Sequence, residues 1–528
     1  MKLLSKSDYI LYRECPHNAW VKKWKPDIYY ASPLSDFEMH LISAGNMVEE
    51  KARERFSGGV LIETRGEESL DKTKELLKNK TEIIYQASFS DGTLFAAVDI
   101  LKQNENGELS IYEVKASSSS KLNQFENEDD SDEDDEVVDF KDQKALDKYK
   151  KKLLKDHHLY DLAFQVYLAR KVGHKVTGAY LVRLNKQYVR AGNIELKKLF
   201  VVEDVIAYVD EILPIVEEEI KTMTVILNLE KGPSSPCCCI YKGRSKHCTT
   251  FAEHNKKIPK YGVHDLTAIG KSKVRLQKLI DSEIYEILDI PDDFEFGKKI
   301  EKQVKVHKRG KAEIDYEAIR TELETLQFPL YFLDYESFNP AIPRFSGYKP
   351  YQQIPFQFSI HRLDTKDSEP ICEKGFLYTG KQDPSPMFVE ELQKQLGKTG
   401  SIIVWNKTFE ESHVNKHLAI RIPECAEFIK DLNFRIFDLM TIFSKQLHIH
   451  PDFHGSASIK KVLPVLSDLS YEELDIGNGS EAMNTWNKLV TEDVPNEERK
   501  ETEKAMLKYC QLDTYAMYAI LKHLFNII

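Results

Sequence analysis

The chain has 528 residues, with 74 lysines and arginines, 85 aspartates and glutamates, and a formal net charge of −11. This length exceeds that of one ordinary core, so we expect two to four domains. No apolar run approaches the roughly 20 residues of a membrane span. The N-terminus also lacks the apolar core of roughly 7–15 residues that marks a signal peptide. We therefore expect a cytoplasmic protein that has no membrane partner.

The negative charge is concentrated in one segment. Residues 126–136 hold nine acids and no lysine or arginine, so the rest of the chain is near neutral. Near neutrality neither requires nor excludes a nucleic-acid partner. Low hydrophobicity and high charge predict that an insertion at about 117–140 is disordered.

Hydrophobic periodicity predicts helices and strands in alternation. In the first 250 residues we predict helices at 36–56, 143–172 and 203–223, and strands at 82–89, 93–102, 109–115 and 177–184. The fold class is thus α/β and multidomain. We divide the chain into three parts. Residues 1–255 form a mixed α/β part, residues 256–325 a polar helical connector, and residues 326–528 a second mixed α/β part.

Two predicted strands carry a possible metal site. Asp99 lies on one strand, and Glu113 and Lys115 end the next. Glu113 and Lys115 share a face because strand side chains alternate, and a hairpin would bring Asp99 close to Glu113. Two carboxylates bind Mg²⁺ or Mn²⁺, and a lysine beside them stabilises charge at an attacked phosphate or positions the water.

This D-x13-E-x-K pattern resembles the PD-(D/E)XK nuclease superfamily in its RecB-like branch, over roughly residues 1–255. The resemblance implies a restriction-endonuclease-like core in the order helix, three strands, helix, strand. It implies a further acidic site residue on the first helix, either Glu49 or Glu50. It also implies a catalytic glutamine, Gln165, on the later helix, and DNA as the substrate.

Five of the eight cysteines form a pattern. Cys237, Cys238, Cys239 and Cys248 follow the nuclease-like core, and Cys15 lies near the N-terminus. This distribution resembles the iron–sulfur variants of RecB-like nucleases, in which one N-terminal and three C-terminal cysteines hold a [4Fe–4S] cluster.

The resemblance implies which residues bind the cluster and leaves open both the exact ligands and the metal. The preferred ligands are Cys15, Cys237, Cys239 and Cys248, with Cys238 or His254 as substitutes. Structural zinc is the alternative cofactor, because thiolates bind both metals. We expect the three scattered cysteines to be buried small apolar residues; they are Cys372, Cys425 and Cys510.

The C-terminal part carries a second acidic pattern. Asp334 and Glu336 end an apolar strand and, two residues apart, project from the same face. Glu410 lies in the first turn of a helix after another strand. Tyr509 and Asp513 share a face of a third helix. Four carboxylates can hold two Mg²⁺ or Mn²⁺ ions for phosphoryl chemistry, and a tyrosine hydroxyl can orient the attacking water.

The order of these motifs resembles the tyrosine branch of the DEDD exonucleases, on an RNase H-like fold, over residues 328–528. One departure is that Glu410 stands where the family carries aspartate, and its longer side chain could shift one metal position. Asp438 also resembles a family element, but we expect a structural or helix-capping role for it.

The whole chain resembles a bacterial family that pairs these two nuclease-like domains and whose C-terminal domain has no known function. Residues 329–336 and 351–359 carry the closest match. The resemblance implies a metal-dependent nuclease, an exonuclease rather than an endonuclease, that acts on DNA in repair, recombination or defence. The alternatives are a nucleic-acid-binding protein with one or both sites inactive, and an RNA-processing nuclease.

Overall fold

A computed structural model describes residues 3–119, 143–471 and 474–528. The chain forms two compact units, both of mixed α/β structure as predicted. Unit 1 comprises Met1–Cys239, Cys248–Asn255 and Pro340–Tyr351, and unit 2 comprises the remaining segments, Ile240–His247, Lys256–Asn339 and Gln352–Ile528. Most of the acidic insertion predicted at 117–140 lies outside the described residues. In the described part of the chain, no helix is long and apolar enough to cross a membrane.

Unit 1 is built from a sheet with helices on its two faces. Its helices are α1 Lys6–Glu14, α2 Pro16–Trp24, α3 Pro26–Tyr29, α4 Asp36–Arg55, α5 Glu67–Lys78, α6 Gln143–Leu153, α7 His157–Lys171, α8 Leu196–Leu199, α9 Ile206–Leu227 and α10 Phe251–His254. Its strands are β1 Leu4–Ser5, β2 Val60–Leu61, β3 Ile83–Ser90, β4 Leu94–Gln103, β5 Leu109–Ser119, β6 Val176–Asn185 and β7 Phe200–Asp204.

The sheet of unit 1 has the order β2-β3-β4-β5-β6-β7, and β1 pairs with β4. β3, β4 and β5 are antiparallel neighbours, whereas β5 and β6 are parallel. One face packs against α1, α2, α7 and α9 around Phe164, and the other packs against α4 and Ile342. The central strands are therefore buried on both faces, which explains their long apolar runs.

Irregularities interrupt this sheet at three points. Gln86 has φ +58°, a left-handed conformation that is uncommon outside glycine, and the register places it opposite Asp99. Ile84 and Ala87 consequently pack in the same core cluster, although strict alternation would separate them. The pairing of β5 with β6 also shifts between Leu109 and Ser110 and again between Lys115 and Ser118. Such bulges re-aim side chains and are frequent beside active sites.

The helix predicted at 143–172 is two helices, α6 and α7. Asp156 ends the break between them, where its side chain accepts a hydrogen bond from the backbone N–H of His158 and caps α7. Asp156 also binds Arg183 on β6, with 2.6 Å between Oδ2 and NH2. A capping aspartate held by a strand arginine therefore fixes the start of α7.

Unit 2 contains a mixed sheet and a small β-ladder. Its helices are α11 Lys273–Asp281, α12 Lys298–Arg309, α13 Tyr316–Leu323, α14 Ser385–Gln395, α15 Lys416–Arg421, α16 Ala426–Phe434, α17 Met440–Ser444, α18 Ile459–Leu466, α19 Gly479–Thr491 and α20 Asn496–Ile527. Its strands are β8 Glu313–Ile314, β9 Leu330–Phe338, β10 Ile354–Leu363, β11 Ile371–Cys372, β12 Phe376–Leu377, β13 Ile402–Val404, β14 Ile436–Asp438 and β15 His448–Ile449. A π-helix spans Phe409–Asn415, and 3₁₀ turns lie at Arg244–Lys246, Val263–Asp265, Ile269–Lys271, Ile287–Asp289, Pro423–Cys425 and Pro451–Phe453. A further 3₁₀ turn, Cys238–Tyr241, begins in unit 1 and ends in unit 2.

The main sheet of unit 2 has the order β11-β10-β9-β13-β14. β9 and β10 are antiparallel, and β9, β13 and β14 are parallel. Tyr331, Leu333 and Tyr335 of β9 enter one core cluster. Alternation therefore directs Asp334 and Glu336 to the opposite face, as the sequence predicts.

Polar side chains fasten α20 to β10. The hydroxyl of Ser359 donates to the carbonyl oxygen of Cys510 at 2.6 Å and lies 2.8 Å from the hydroxyl of Thr514. His361 Nδ1 lies 2.8 Å from the same Thr514 hydroxyl. Ser359 and His361 share a strand face, and Cys510 and Thr514 lie one helical turn apart. The spacing of two residues along the strand is close to that of one turn along the helix, so both pairs can hydrogen-bond at once. These bonds fix the position of α20 along its axis.

We expect Ser359→Ala to lower the free energy of unfolding of unit 2 by about 1–3 kcal/mol, because Thr514 and the Cys510 carbonyl lose a buried partner. Urea denaturation measures the change. The control is Ser282→Ala, at an exposed position of the same unit, which should change it by less than about 0.5 kcal/mol. Equal effects of the two substitutions would contradict the anchoring role.

Candidate metal centres

Three carboxylates and two lysines meet in unit 1. Asp99 lies on β4, Glu113 and Lys115 on β5, Asp161 on α7, and Lys6 at the start of α1. Lys115 Nζ is 2.7 Å from Glu113 Oε1 and 2.5 Å from Asp161 Oδ2. Lys6 Nζ is 3.0 Å from both oxygens of Glu113 and 3.8 Å from Asp99 Oδ1. The group is therefore a compact charged cluster.

Hydrogen bonds orient the acids of this cluster. Asp99 Oδ2 accepts the backbone N–H of Val114 at 2.8 Å, across the β4–β5 hairpin that the sequence predicts. Gln165 Nε2 donates to Glu113 Oε2 at 2.6 Å. The structure thus brings together the four predicted residues Asp99, Glu113, Lys115 and Gln165.

The two central carboxylates have opposite pKa shifts. Burial and the charge of Glu113 raise the pKa of Asp99 to about 7. Burial also opposes the charged form of Glu113, but Lys115 and Lys6 outweigh it and hold the pKa of Glu113 well below its usual range. Glu113 is therefore the permanent anion of the cluster, and Asp99 takes up a proton near neutral pH.

Glu49 lies at the edge of this cluster. Its Oε1 accepts hydrogen bonds from Gln86 Nε2 at 2.6 Å and from Arg53 at 2.8 Å. Its charge also contributes to the raised pKa of Asp99. Glu50, the alternative, is exposed, so Glu49 is the acid of this pair that faces the cluster.

Sequence reasoning missed Lys6, Asp161 and Gln86. Lys6 and Asp161 come from α1 and α7, and no local spacing relates them to the β4–β5 pair. Asp161 lies four residues before Gln165, which would have placed it on the same helix face. Gln86 is directed towards Glu49 by its left-handed backbone conformation, and nothing in the sequence predicts that conformation.

Four cysteines of unit 1 form a second centre. One sulfur from each of Cys15, Cys237, Cys239 and Cys248 lies within 4.8 Å of the others. The Cys15 and Cys237 sulfurs are 3.4 Å apart, and those of Cys237 and Cys248 are 3.9 Å apart. Cys238 is exposed, and its sulfur contacts the carbonyl oxygen of Glu14 at 3.6 Å. This grouping could bind a metal.

The remaining cysteines differ from one another. Cys425 and Cys510 are buried, as expected, but the prediction for Cys372 is wrong because it is exposed. Cys372 lies on β11, a two-residue strand at the edge of the sheet. An edge strand has a neighbouring strand on one side only, so the side chains of β11 stay exposed. Cys510 lies beside Asp334, with 3.8 Å between its sulfur and Oδ2.

Three carboxylates of unit 2 form a third centre. One oxygen from each of Asp334, Glu336 and Asp513 lies within 4.8 Å of the others. Asp334 and Glu336 project from β9, and Asp513 comes from α20. Among the described residues, no lysine, arginine or histidine pairs with these carboxylates within 4.0 Å. Such a group repels itself unless it binds protons or a cation.

Two tyrosines border this triad. The hydroxyl of Tyr471 donates to Asp513 Oδ1 at 2.6 Å, and the predicted residue Tyr509 lies close enough to Asp513 to lower the pKa of that carboxyl. The two rings are 6.4 Å apart. Burial and the neighbouring carboxylates raise the pKa of both hydroxyls, so both stay protonated and can donate. Sequence reasoning missed Tyr471 because it lies in a loop without a motif.

Glu410 lies near the triad, outside its closest group. Its charge raises the pKa of Asp334, and its Oε2 is buried without a hydrogen-bond partner among the described residues. Glu410 is on the π-helix, a conformation that often occurs at functional sites. Asp438 accepts the backbone N–H groups of Lys407 and Met440, which agrees with the predicted capping role.

Burial and mutual repulsion raise the pKa values of these acids. Burial and Asp513 raise the pKa of Glu336 to about 8, and burial raises that of Asp513 to about 6. The pKa of Asp334 is well above its usual range, through burial and through Asp513 and Glu336. Burial likewise raises the pKa of Glu410 to about 8. Without a metal, the triad therefore holds protons at neutral pH.

The chain is similar to one domain family and to proteins of two bacteria, none of which has a described activity. Residues 331–458 match a domain of unknown function, DUF2779. Uncharacterized protein UU173 of Ureaplasma parvum serovar 3 is 28% identical over 215 residues, which are 36% of this chain and 30% of that protein. Uncharacterized protein MG366 homolog of Mycoplasma pneumoniae is 25% identical over 214 residues, which are 36% of this chain and 31% of that protein. The chain thus spans less than a third of the length of these relatives.

We expect the metal-free protein to lose stability as the pH rises from about 5 to 8. The folded pKa of Glu336, about 8, lies above the ordinary value near 4.3, so the folded state binds more protons over this range. Raising the pH removes those protons and leaves buried anions. Urea denaturation in EDTA at both pH values should show a smaller loss for Glu336→Gln than for wild type.

The matched control is Glu427→Gln, which alters an exposed acid of the same unit and should retain the wild-type pH dependence. Mn²⁺ should stabilise the wild type more at pH 8 than at pH 5, because protons compete with the metal for the same oxygens. Stability of the Glu336→Gln variant that falls with pH as steeply as that of wild type would refute the assignment.

Proposed function

We propose that the chain is a metal-dependent nuclease that hydrolyses phosphodiester bonds of nucleic acid, as an exonuclease and with DNA as the preferred substrate. The observation that carries this proposal is the group Asp334, Glu336 and Asp513, of which the last two are buried and the first is partly buried, with one oxygen of each within 4.8 Å of the others. Among the described residues, no basic side chain lies within 4.0 Å of their oxygens. Hard oxygen ligands at this spacing suit Mg²⁺ or Mn²⁺. Without a cation, these acids must bind protons to avoid the cost of buried, mutually repelling charges.

In unit 2, the proposed ligands are Asp334, Glu336, Asp513 and Glu410. Divalent ions held there would stabilise charge on the attacking and leaving oxygens of a phosphodiester. The hydroxyl of Tyr509, which stays protonated, would hydrogen-bond the attacking water. The buried Oε2 of Glu410, which has no hydrogen-bond partner in the part of the chain that the structure describes, supports its inclusion. The arrangement is similar to that of the DEDD exonucleases in their tyrosine branch.

In unit 1, the proposed ligands are Asp99, Glu113 and Glu49. Lys115, which contacts Glu113, would stabilise negative charge on the phosphate or orient the water. Gln165 holds Glu113 in position through its 2.6 Å hydrogen bond. The hairpin carrying Asp99 and Glu113 supports the likeness to the RecB-like PD-(D/E)XK nucleases.

For the cysteine centre, we propose a single structural zinc ion in preference to a [4Fe–4S] cluster. Four thiolates around one zinc, at about 2.3 Å each, are separated by about 3.8 Å. A [4Fe–4S] cubane would hold its cysteine sulfurs farther apart, because each of the four binds a different iron atom. The observed separations of 3.4 and 3.9 Å support the single ion. Such an ion would join the N-terminal helix pair to the segment that follows α9.

We expect the purified protein to be colourless and to carry about one zinc per chain, measured by elemental analysis. Cys239→Ser should lose the metal, whereas Cys238→Ser, at the exposed neighbour, should retain it. A brown protein that absorbs near about 400 nm and contains about four irons would establish the cluster instead.

We expect Mn²⁺-dependent cleavage of labelled DNA, reduced at least about a hundredfold at the affected site by Lys115→Ala in unit 1 or Asp334→Ala in unit 2. Because each unit carries a candidate site, the double variant is compared with both single variants. The controls are Lys197→Ala and Asp493→Ala, at exposed positions of the two units.

Undiminished cleavage by the double variant would refute both site assignments. Binding of DNA without cleavage in Mg²⁺ or Mn²⁺ would support the nucleic-acid-binding alternative. Lys6, which contacts the acids of unit 1 as a cation, is the observation that favours this alternative for that unit. Preference for RNA in a parallel substrate panel would support the RNA-processing alternative.

A further inference from the structure

Lys6 lies where a divalent cation would bind in unit 1. Its Nζ is 3.0 Å from both Glu113 oxygens, 3.8 Å from Asp99 Oδ1 and 4.0 Å from Asp161 Oδ1. We propose that the Lys6 ammonium is a displaceable resident cation, which holds these carboxylates together until a divalent metal ion replaces it and so sets the metal affinity of the site. This inference rests on the proposed function for the identity of the site, but its test does not require cleavage.

The backbone at Lys6 is fixed by the elements around it. β1 pairs in parallel with β4, the strand that carries Asp99, through Leu4 and Ser5. Ser5 then caps α1 in a capping box with Asp8, whose carboxylate accepts the backbone N–H of Ser5 at 2.9 Å. Lys6, the first residue of the helix, therefore enters the cluster from a defined position rather than as a mobile surface side chain.

The other end of α1 is also held. Cys15, one of the four clustered cysteines, is the C-cap residue of the helix. In the last turn, Arg13 contacts Glu219 of α9 at 2.8 Å. A helix of nine residues thus joins the cysteine centre to the carboxylate cluster. The cysteine centre thereby helps to fix where the Lys6 side chain starts.

The two lysines of the cluster have different partners. Lys115 contacts Glu113 and Asp161, whereas Lys6 is the ammonium that also reaches Asp99. Removal of Lys6 leaves three carboxylates facing one lysine, with Glu49 beyond Asp99. A divalent ion between Asp99 and Glu113 would restore the balance, but it cannot share that space with an ammonium group. Lys6 must therefore move before a metal binds.

The test measures Mn²⁺ affinity by titration calorimetry with the full chain in an Asp334→Asn background, which weakens binding at the centre in unit 2. Lys6→Met keeps the length of the side chain and removes its charge, and it should bind Mn²⁺ at least about tenfold more tightly than the background protein. In EDTA the variant should melt at a lower temperature, and added Mn²⁺ should restore more of its stability than it does for the background protein.

Lys22→Met is the matched control. Lys22 contacts Asp8 at 2.8 Å, and its side chain is 20% exposed, as is that of Lys6. The control should leave Mn²⁺ affinity within about twofold of the background protein. Lys6→Gln repeats the measurement in case Lys6→Met folds poorly.

Unchanged or weaker Mn²⁺ binding by both Lys6 variants would overturn the proposal. Absence of Mn²⁺ binding at millimolar concentration by the background protein and by both Lys6 variants would also overturn it. The proposal requires that removal of the Lys6 ammonium leaves a site that binds a divalent ion. Cleavage of DNA is measured on the same samples. Tighter Mn²⁺ binding without cleavage by the wild-type chain would retain the role of Lys6 and reject the nuclease function.

Discussion

Burial of carboxylates is the constraint on which both candidate catalytic centres depend. A carboxylate removed from water needs a positive partner, a metal ion or a proton. In unit 1 the partners are lysines, and Glu113 stays ionised between Lys6 and Lys115. In unit 2 the described residues provide no basic partner within ion-pair distance, and the pKa of Glu336 rises to about 8. The same chemical group is thus compensated by lysine charges at Glu113 in unit 1 and by protonation in unit 2.

The secondary structure supports this burial through anchors placed away from the acids. In unit 2, Gln357, Ser359 and His361 extend from one face of β10, and the first two donate to carbonyl oxygens of α20. These bonds set the height at which α20 presents Asp513 to β9. In unit 1, the β1–β4 pairing and the capped first turn of α1 do the same for Lys6. Hydrogen bonds outside the candidate sites therefore determine the positions of the charged side chains within those sites.

The sequence was informative where a site follows from local spacing. Alternation along one strand places Asp334 beside Glu336, and a hairpin brings Asp99 to Glu113, so both pairs could be predicted. Lys6 and Tyr471 could not, because their approach depends on how distant elements pack. Glu410 was predicted near the triad, but its offset from the three closest carboxylates depends on a π-helix that has no distinct sequence pattern. The Cys15 grouping came from resemblance, since 222 residues separate it from Cys237.

The two modes of compensation have different consequences for metal binding. In unit 2 a divalent ion displaces protons, so its affinity must fall as the pH decreases through the pKa values of the triad. In unit 1 an ion must displace the Lys6 ammonium, which stays charged over the same range, so pH acts there chiefly through Asp99, whose pKa is about 7. Under the proposed metal binding, an ion would compete with the Lys6 ammonium in unit 1 and with solvent protons in unit 2. A chain with both arrangements would therefore load metal into its two centres under different conditions, although both centres present carboxylate ligands.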